Sequence, residues 1–145
     1  MAVERRAKAT WEGDLTGGSG EVSTESGVVQ SATVKWSSRA EQADENTSPE
    51  ELIAAAHATC VSMALANGLA QAGTPAKRLE SEAKATFDKT DAGFRMTTMR
   101  LAILGEVDGL DDEAFRRAAE DAKENCPVSQ ALKGNVEISV DASLA

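Results

Sequence analysis

The chain has 145 residues, 41% of them hydrophobic and 27% charged, which is an ordinary composition for a globular protein. Its net charge of −9 argues against binding to nucleic acid or to an anionic membrane, since both need a basic face. No apolar stretch approaches the ~20 residues that span a bilayer, and the charged segment 1–8 has no apolar region behind it to form a signal peptide. We therefore expect a cytoplasmic protein.

The first third of the chain is predicted to form short strands. Residues 7–12 and 20–26 have strand character, and the Gly-rich segment 16–20 between them is typical of a hairpin turn. Residues 31–38 contain several strand-favouring side chains and predict a third strand. The polar stretch 41–47 predicts a loop.

A long helix is predicted to follow this loop. Ser48 is a suitable N-cap, with Pro49 at the first helical position and Glu51 placed to complete a capping box. A periodic run of small apolar residues continues to about Gln71, and Gly73 is a natural stop.

The remainder of the chain predicts two more strands, two helical segments and a final strand. Residues 79–88 alternate between apolar and charged side chains, and 94–107 predict the next strand. Acidic residues at 111–113 mark the start of a second helix. Pro127 ends it, a short third helix over 127–133 follows, and 136–141 alternate as a strand.

Taken together, these elements predict an α+β fold in a single domain, residues 1–145. The apolar content is rich in Ala and Val, with three Phe, two Trp and no Tyr. Small side chains each bury little area, so association with another copy would help to cover apolar surface.

The two cysteines are the main candidates for chemistry, because a reducing cytosol favours redox roles over permanent disulfides. Cys60 lies in the middle of the long helix, where it is either a small buried hydrophobe or a reactive thiol that needs a cation from elsewhere. Cys126 lies at the predicted start of the short helix, where N–H groups favour a thiolate. Local physics therefore nominates Cys126 as the more acidic thiol, with plain helix termination as the alternative.

Other cofactor chemistry is not predicted. Two cysteines separated by 66 positions and one histidine do not supply the usual ligands of a zinc site, and there is no Cys-x-x-Cys motif. His57 precedes Cys60 by three positions, so it is either a packed histidine or a group near the thiol.

Several segments together resemble the OsmC/Ohr family, and most closely its OsmC branch. In chain order, the segments that carry the resemblance are 11–14, 22–27, 48–60, 88–94 and 125–130. The most specific combination is Pro-Glu-Glu-Leu ahead of Cys60, paired with a distant Cys-Pro-Val-Ser that begins at Cys126.

The resemblance implies a fold of antiparallel sheets around two main helices in an intertwined homodimer. It also implies a thiol-dependent peroxidase that reduces organic hydroperoxides without metal, haem or another cofactor, with an external dithiol, of the lipoyl type, as reductant. By resemblance Cys60 is the peroxidatic cysteine, Cys126 the resolving cysteine, Glu50 the catalytic acid and Arg39 the OsmC-type arginine. One departure is Val61, where the family often has Phe.

The implied roles agree with the physics of the long helix. A guanidinium from Arg39 would stabilise a Cys60 thiolate, and Glu50 would orient that guanidinium. Glu50 and Cys60 are ten residues apart on one helix, or ~15 Å along its axis. We therefore expect Arg39 and Glu50 of one subunit to face Cys60 of the other in a C₂ dimer. The alternatives are a Glu50 that merely suits the helix start and an Arg39 solvated in a loop.

The sequence says less about which residues would contact the substrate. Phe87, Phe94 and Met96 are candidates to line an apolar entry for bulky peroxides. A different class of function is a non-catalytic dimer that senses oxidants, or binds an apolar ligand, with a reversible Cys60–Cys126 disulfide. A structural domain with inert thiols is a third possibility.

Overall fold

The protein, described over residues 1–145 by a computed structural model, has six strands and four helices. The strands are β1 (Ala7–Glu12), β2 (Ser19–Thr24), β3 (Ala32–Val34), β4 (Arg78–Thr90), β5 (Gly93–Glu106) and β6 (Glu137–Leu144). The helices are α1 (Trp36–Ala40), α2 (Pro49–Gln71), α3 (Asp112–Asn125) and α4 (Pro127–Leu132). The chain forms two compact units, Met1–Leu52 and Ile53–Ala145. The α+β class expected from the sequence is confirmed.

The first unit is built on a three-stranded antiparallel sheet in the order β1-β2-β3. The predicted hairpin joins β1 to β2, and its turn is closed by the Gly18 N–H, which donates to the Asp14 carbonyl at 2.9 Å. A Cβ at Gly18 would collide with the carbonyl oxygens of Glu12 and Asp14. The close approach of backbone in this turn therefore requires glycine.

The predicted third strand over 31–38 is wrong in its second half, because Trp36–Ala40 form the helix α1. A polar network explains the difference. The Ser38 hydroxyl donates to Asp44 Oδ2 at 2.9 Å, and the Asn46 N–H donates to Asp44 Oδ1 at 2.9 Å. These bonds, that of Asn46 first, hold the pKa of Asp44 below its ordinary value. They tie α1 to the following loop, an interaction that strand propensity does not report.

The start of α2 agrees with its sequence signals. Ser48 Oγ accepts from the Glu51 N–H at 3.1 Å, as expected of an N-cap. The Glu51 carboxylate accepts from the Thr47 hydroxyl at 2.9 Å. Of the two hydrogen bonds of a capping box, the one accepted by Ser48 is therefore present, while the Glu51 side chain bonds to Thr47. At the other end Gly73 has φ +84°, and the Thr74 N–H donates to the Leu69 carbonyl at 2.9 Å.

One sequence expectation about α2 needs correction. With 23 residues and a mean hydropathy of 1.5 over its most apolar window, it is long and apolar enough to cross a membrane by length and composition. Its many alanines, with no charged residue between 52 and 71, produce this value. In the second unit, however, α2 is a core helix that buries one stripe of side chains. The stripe consists of His57, Val61, Leu65 and Leu69.

The second unit packs this part of α2 with a three-stranded sheet in the order β4-β5-β6. β4 and β5 form an antiparallel hairpin, whereas β6 runs parallel to β5 because α3 and α4 carry the chain across between them. Phe115 on α3 is fully buried, and a Cβ at Gly105 on β5 would collide with its ring. The buried core thus holds α3 closely on the sheet.

Candidate active site

The first unit positions two of the four predicted site residues as an ion pair. Arg39 lies in α1, and Glu50 lies in the first turn of α2. The Arg39 Nη2 donates to Glu50 Oε1 at 2.8 Å, and its Nε donates to both carboxylate oxygens at 3.1 and 3.2 Å. The Glu50 side chain is only 10% exposed and that of Arg39 34% exposed. This is the planar, bidentate geometry in which Arg recognises a carboxylate, and it fixes the direction of the guanidinium.

A largely apolar pocket of about 390 Å³ lies beside this pair in the first unit. Apart from Lys35 and the guanidinium of Arg39, its walls are apolar side chains from the sheet, the β1–β2 turn and the two helix starts. They are Ala9, Trp11, Leu15, Val22, Val34, Trp36, Pro49 and Leu52. A pocket with mainly apolar walls and cationic residues at its polar part suits an organic molecule that has one polar end.

The second unit brings the other two predicted residues together. Cys60 on α2 is half-buried, Cys126 between α3 and α4 is fully buried, and neither is in a disulfide. The Cys126 thiol and the backbone N–H of Val128 both lie near enough to the Cys60 sulfur to shift its pKa, the thiol upward and the N–H downward. Two thiols this near to each other can form a disulfide with little movement of the chain.

The surroundings of Cys60 in this unit oppose its ionisation. Burial first, and then the hydrogen bond with Cys126, raise the pKa of the Cys60 thiol above its ordinary value. The Val128 N–H acts in the opposite direction but does not overcome them. None of the groups that shift this pKa carries a positive charge. The thiol is therefore mostly protonated near neutral pH unless a cation is added.

The first turn of α4 serves a different thiol from the one expected. Cys126 is the N-cap residue of α4, as predicted, but its side chain makes no capping bond. The N–H of Val128, the second residue of α4, is directed to the Cys60 sulfur instead. The Val128 N–H at this helix start thus acts on the mid-helix thiol.

His57 is fully buried one turn before Cys60 on α2. Its Nε2 is 2.7 Å from the Ser129 Oγ, and its Nδ1 is buried without a hydrogen-bond partner. Burial lowers the pKa of His57, so the imidazole is neutral near pH 7. Neither ring nitrogen bonds to the Cys60 sulfur, and His57 does not supply the missing cation.

The four residues predicted from sequence thus form two pairs: Arg39 with Glu50, and Cys60 with Cys126. Sequence reasoning did not identify Val128 and Ser129. The signal was present, because both follow Pro127 in the first turn of a helix that Cys126 caps. Phe87 and Phe94, two of the three candidate entry residues, stack on one another in the β4–β5 hairpin with ring centroids 5.3 Å apart.

The sequence and the fold of this chain have counterparts among known proteins. Residues 41–141 match the family model described as OsmC-like protein. The match covers more than half of the 145 residues. The chain belongs to the OsmC-like protein family. This confirms the resemblance to the OsmC/Ohr family that the sequence motifs indicated.

Two members illustrate how far the similarity extends. Peroxiredoxin OsmC of Escherichia coli K12 is 42% identical over 144 residues, which cover 99% of each chain. The crystal structure of the organic hydroperoxide resistance protein OhrB of Bacillus subtilis superposes with a TM-score of 0.74. That match is 26% identical and covers 95% of this chain and 98% of the other. The OsmC-like fold is thereby confirmed for nearly the whole length of the chain.

Proposed function

We propose that this protein is a thiol-dependent peroxidase that reduces organic hydroperoxides to alcohols through Cys60 and Cys126. The observation that carries the proposal is the proximity of two free thiols, one half-buried and one fully buried, with a backbone N–H near the former that favours its thiolate. The relatives support it, since one is named a peroxiredoxin and another an organic hydroperoxide resistance protein. The alignment with the E. coli relative spans 99% of each chain, which supports residues 1–145 as one functional domain.

The proposed cycle uses the two sulfurs in sequence. The Cys60 thiolate attacks the terminal oxygen of the hydroperoxide, the O–O bond breaks, and the alkoxide leaves as an alcohol after taking up a proton. Cys60 is then a sulfenic acid. The Cys126 sulfur attacks the Cys60 sulfur, hydroxide leaves as water with the proton of the second thiol, and a disulfide forms. An external dithiol, such as a lipoyl group, reduces the disulfide by exchange and is itself oxidised.

We propose further that a second copy of the chain supplies the cation that Cys60 lacks. Within the second unit, the groups around Cys60 favour the neutral thiol. Arg39, already oriented by Glu50, is a suitable cation, because a guanidinium beside a sulfur favours the thiolate. Glu50 and Cys60 lie ten residues apart on the same helix, which disfavours a site made within one chain. In this proposal, Arg39 and Glu50 of one subunit complete the thiol site of the other.

The exposed face of α2 supports association between copies. Opposite the buried stripe, this helix exposes a row of small or apolar side chains: Ala55, Thr59, Met63, Ala66 and Ala70. Met63 is 68% exposed, an unusual position for a large apolar side chain in the middle of a helix. Small residues let two helices approach closely, so we propose that this face packs against a second copy in a C₂ homodimer. A cytoplasmic location is part of the same proposal, because the cycle needs a reducing supply of dithiol.

A direct test is the consumption of cumene hydroperoxide by the purified protein in the presence of a dithiol. We expect stoichiometric formation of cumyl alcohol over many turnovers, and faster reaction with cumene hydroperoxide than with hydrogen peroxide. Formation of a reversible Cys60–Cys126 disulfide without turnover would contradict the proposal. That result would favour an oxidant sensor instead.

The apolar pocket beside Arg39 predicts a preference for organic substrates that one substitution should weaken. Leu15 is 55% exposed and lines the pocket, so Leu15→Asp places a charge where the organic part of the peroxide would bind. We expect kcat/KM for cumene hydroperoxide to fall about tenfold, as is typical when an apolar contact of this size is lost. The value for hydrogen peroxide should stay within about twofold, because it has no organic part to bind.

A matched control is Val28→Asp. Val28 is an exposed apolar residue of the same unit that does not line the pocket, and its replacement should leave both substrates unaffected. Equal losses for the two peroxides in Leu15→Asp would show that the pocket does not select the organic group.

A further inference from the structure

The short helix α4 has little stability of its own. It has six residues, too few for an isolated helix to persist in water, so its position depends on contacts made by its side chains and ends. At its start, the Cys126 N–H donates to the Ala122 carbonyl at 2.8 Å, which ties it to the end of α3. Its link to α2 through a side-chain hydrogen bond is the pair formed by His57 and Ser129, 2.7 Å apart.

This pair lies next to the thiols in sequence on both helices. His57 is three residues before Cys60, and Ser129 directly follows Val128, whose N–H lies near the Cys60 sulfur and lowers the pKa of that thiol. One turn of α2 therefore contacts the first turn of α4 at two points. One point is the sulfur with Val128 and Cys126, and the other is the imidazole with the Ser129 hydroxyl.

Burying His57 at this position carries a free-energy penalty. A buried polar nitrogen without a hydrogen-bond partner lowers the stability of the fold, and His57 Nδ1 is such a nitrogen. An apolar side chain of similar volume would avoid this penalty but would leave the Ser129 hydroxyl unpaired. The one hydrogen bond that His57 makes is thus the one that an apolar residue could not supply.

We propose that His57 is a positioning residue that, through Ser129, holds the first turn of α4 so that the Val128 N–H and the Cys126 thiol face the Cys60 sulfur. It acts neither as a base nor as a counter-cation, because its nitrogens bond to Ser129 or to nothing. The inference rests on the proposed role of Cys60 as the attacking thiol, but its effect on that sulfur can be measured without any peroxide.

The test measures the rate at which iodoacetamide alkylates Cys60 in the reduced protein as a function of pH, with the modified peptide identified by mass spectrometry. Cys126 is fully buried and should react far more slowly. In Ser129→Ala the first turn of α4 is released, and the Val128 N–H no longer stabilises the thiolate. We expect the midpoint of the profile to rise by about half to one pH unit, with an unchanged rate at high pH where Cys60 is fully ionised.

Two further variants separate positioning from general stability. Ser129→Thr keeps the hydroxyl and should restore the wild-type midpoint. Ser62→Ala removes a different serine bond of α2, that to Ser81 at 2.7 Å, and should lower the melting temperature without moving the midpoint. If Ser129→Ala does not fold, His57→Phe breaks the same bond and takes its place.

The inference is overturned if the Ser129→Ala and wild-type profiles superimpose. It is also overturned if Ser62→Ala moves the midpoint as far as Ser129→Ala does. A wild-type protein that alkylates as expected but turns over no peroxide would count against the proposed function and leave the positioning role intact.

Discussion

Replacing Cys60 by Ser is expected to abolish peroxide turnover, with a fall in rate of about a thousandfold or more. A serine hydroxyl in this half-buried position does not ionise near neutral pH, and oxygen does not form the sulfenic acid that the second thiol must attack. The measurement is the steady-state consumption of cumene hydroperoxide with excess dithiol. Full activity of the variant would show that another group attacks the peroxide.

The matched control is Cys126→Ser, which leaves the attacking sulfur in place. Without added dithiol, which would reduce a sulfenic acid directly, we expect it to consume about one equivalent of hydroperoxide per chain and then to stop, with Cys60 trapped by dimedone as the sulfenic acid. If this variant were instead inert from the first equivalent, the two cysteines would have been assigned in the wrong order.

Mixing two inactive variants is expected to restore activity if the site is shared between subunits. Arg39→Ala removes the proposed cation, and a loss of about one to three pKa units of thiolate stabilisation would lower its rate by about 10- to 1000-fold near neutral pH. In a heterodimer of Arg39→Ala with Cys60→Ser, one site regains both an intact Cys60 and the partner's intact arginine. The heterodimer should therefore show about half of the wild-type activity. Differential tags on the two coexpressed chains allow its isolation.

The control for this experiment pairs Cys60→Ser with Cys126→Ser. Because these two thiols contact each other within one unit, each site of that heterodimer still lacks one of them, and no turnover should return. If the Arg39→Ala heterodimer were equally inactive, the arginine and the thiol would belong to the same chain. The proposal of a composite site would then fail.

The elements that the sequence predicts well are those specified by neighbouring residues. Ser48 and Gly73 bound α2 as expected, because a cap hydroxyl and a residue with φ +84° act within one turn of the helix. Residues 36–38 were wrongly predicted as strand, since their helical fold is supported by Ser38 bonding to Asp44 across a loop. Propensity over 31–38 contains no information about that bond.

In the candidate site, too, the sequence predicts what neighbouring residues specify and misses what depends on distant residues. Cys60 and Cys126 could be nominated from sequence, and their pairing was implied by family resemblance rather than by spacing. Their contact depends on packing α4 against α2 across 66 positions of chain. Local physics favoured Cys126 as the more acidic thiol, but it could not show that the Val128 N–H is directed at Cys60. The hydrogen-bond partner of His57 could not be predicted either, since Ser129 lies 72 positions away in sequence.

The unequal exposure of the two sulfurs determines which of them an external dithiol attacks when it reduces the disulfide. Cys126 is fully buried, whereas Cys60 is partly accessible, so an incoming dithiol can reach the disulfide from one side only. Exchange would therefore begin at Cys60 and expel Cys126 as the leaving group. The transient mixed disulfide would always be carried by the residue that first met the peroxide, and a trapped reductase adduct should map to that residue alone.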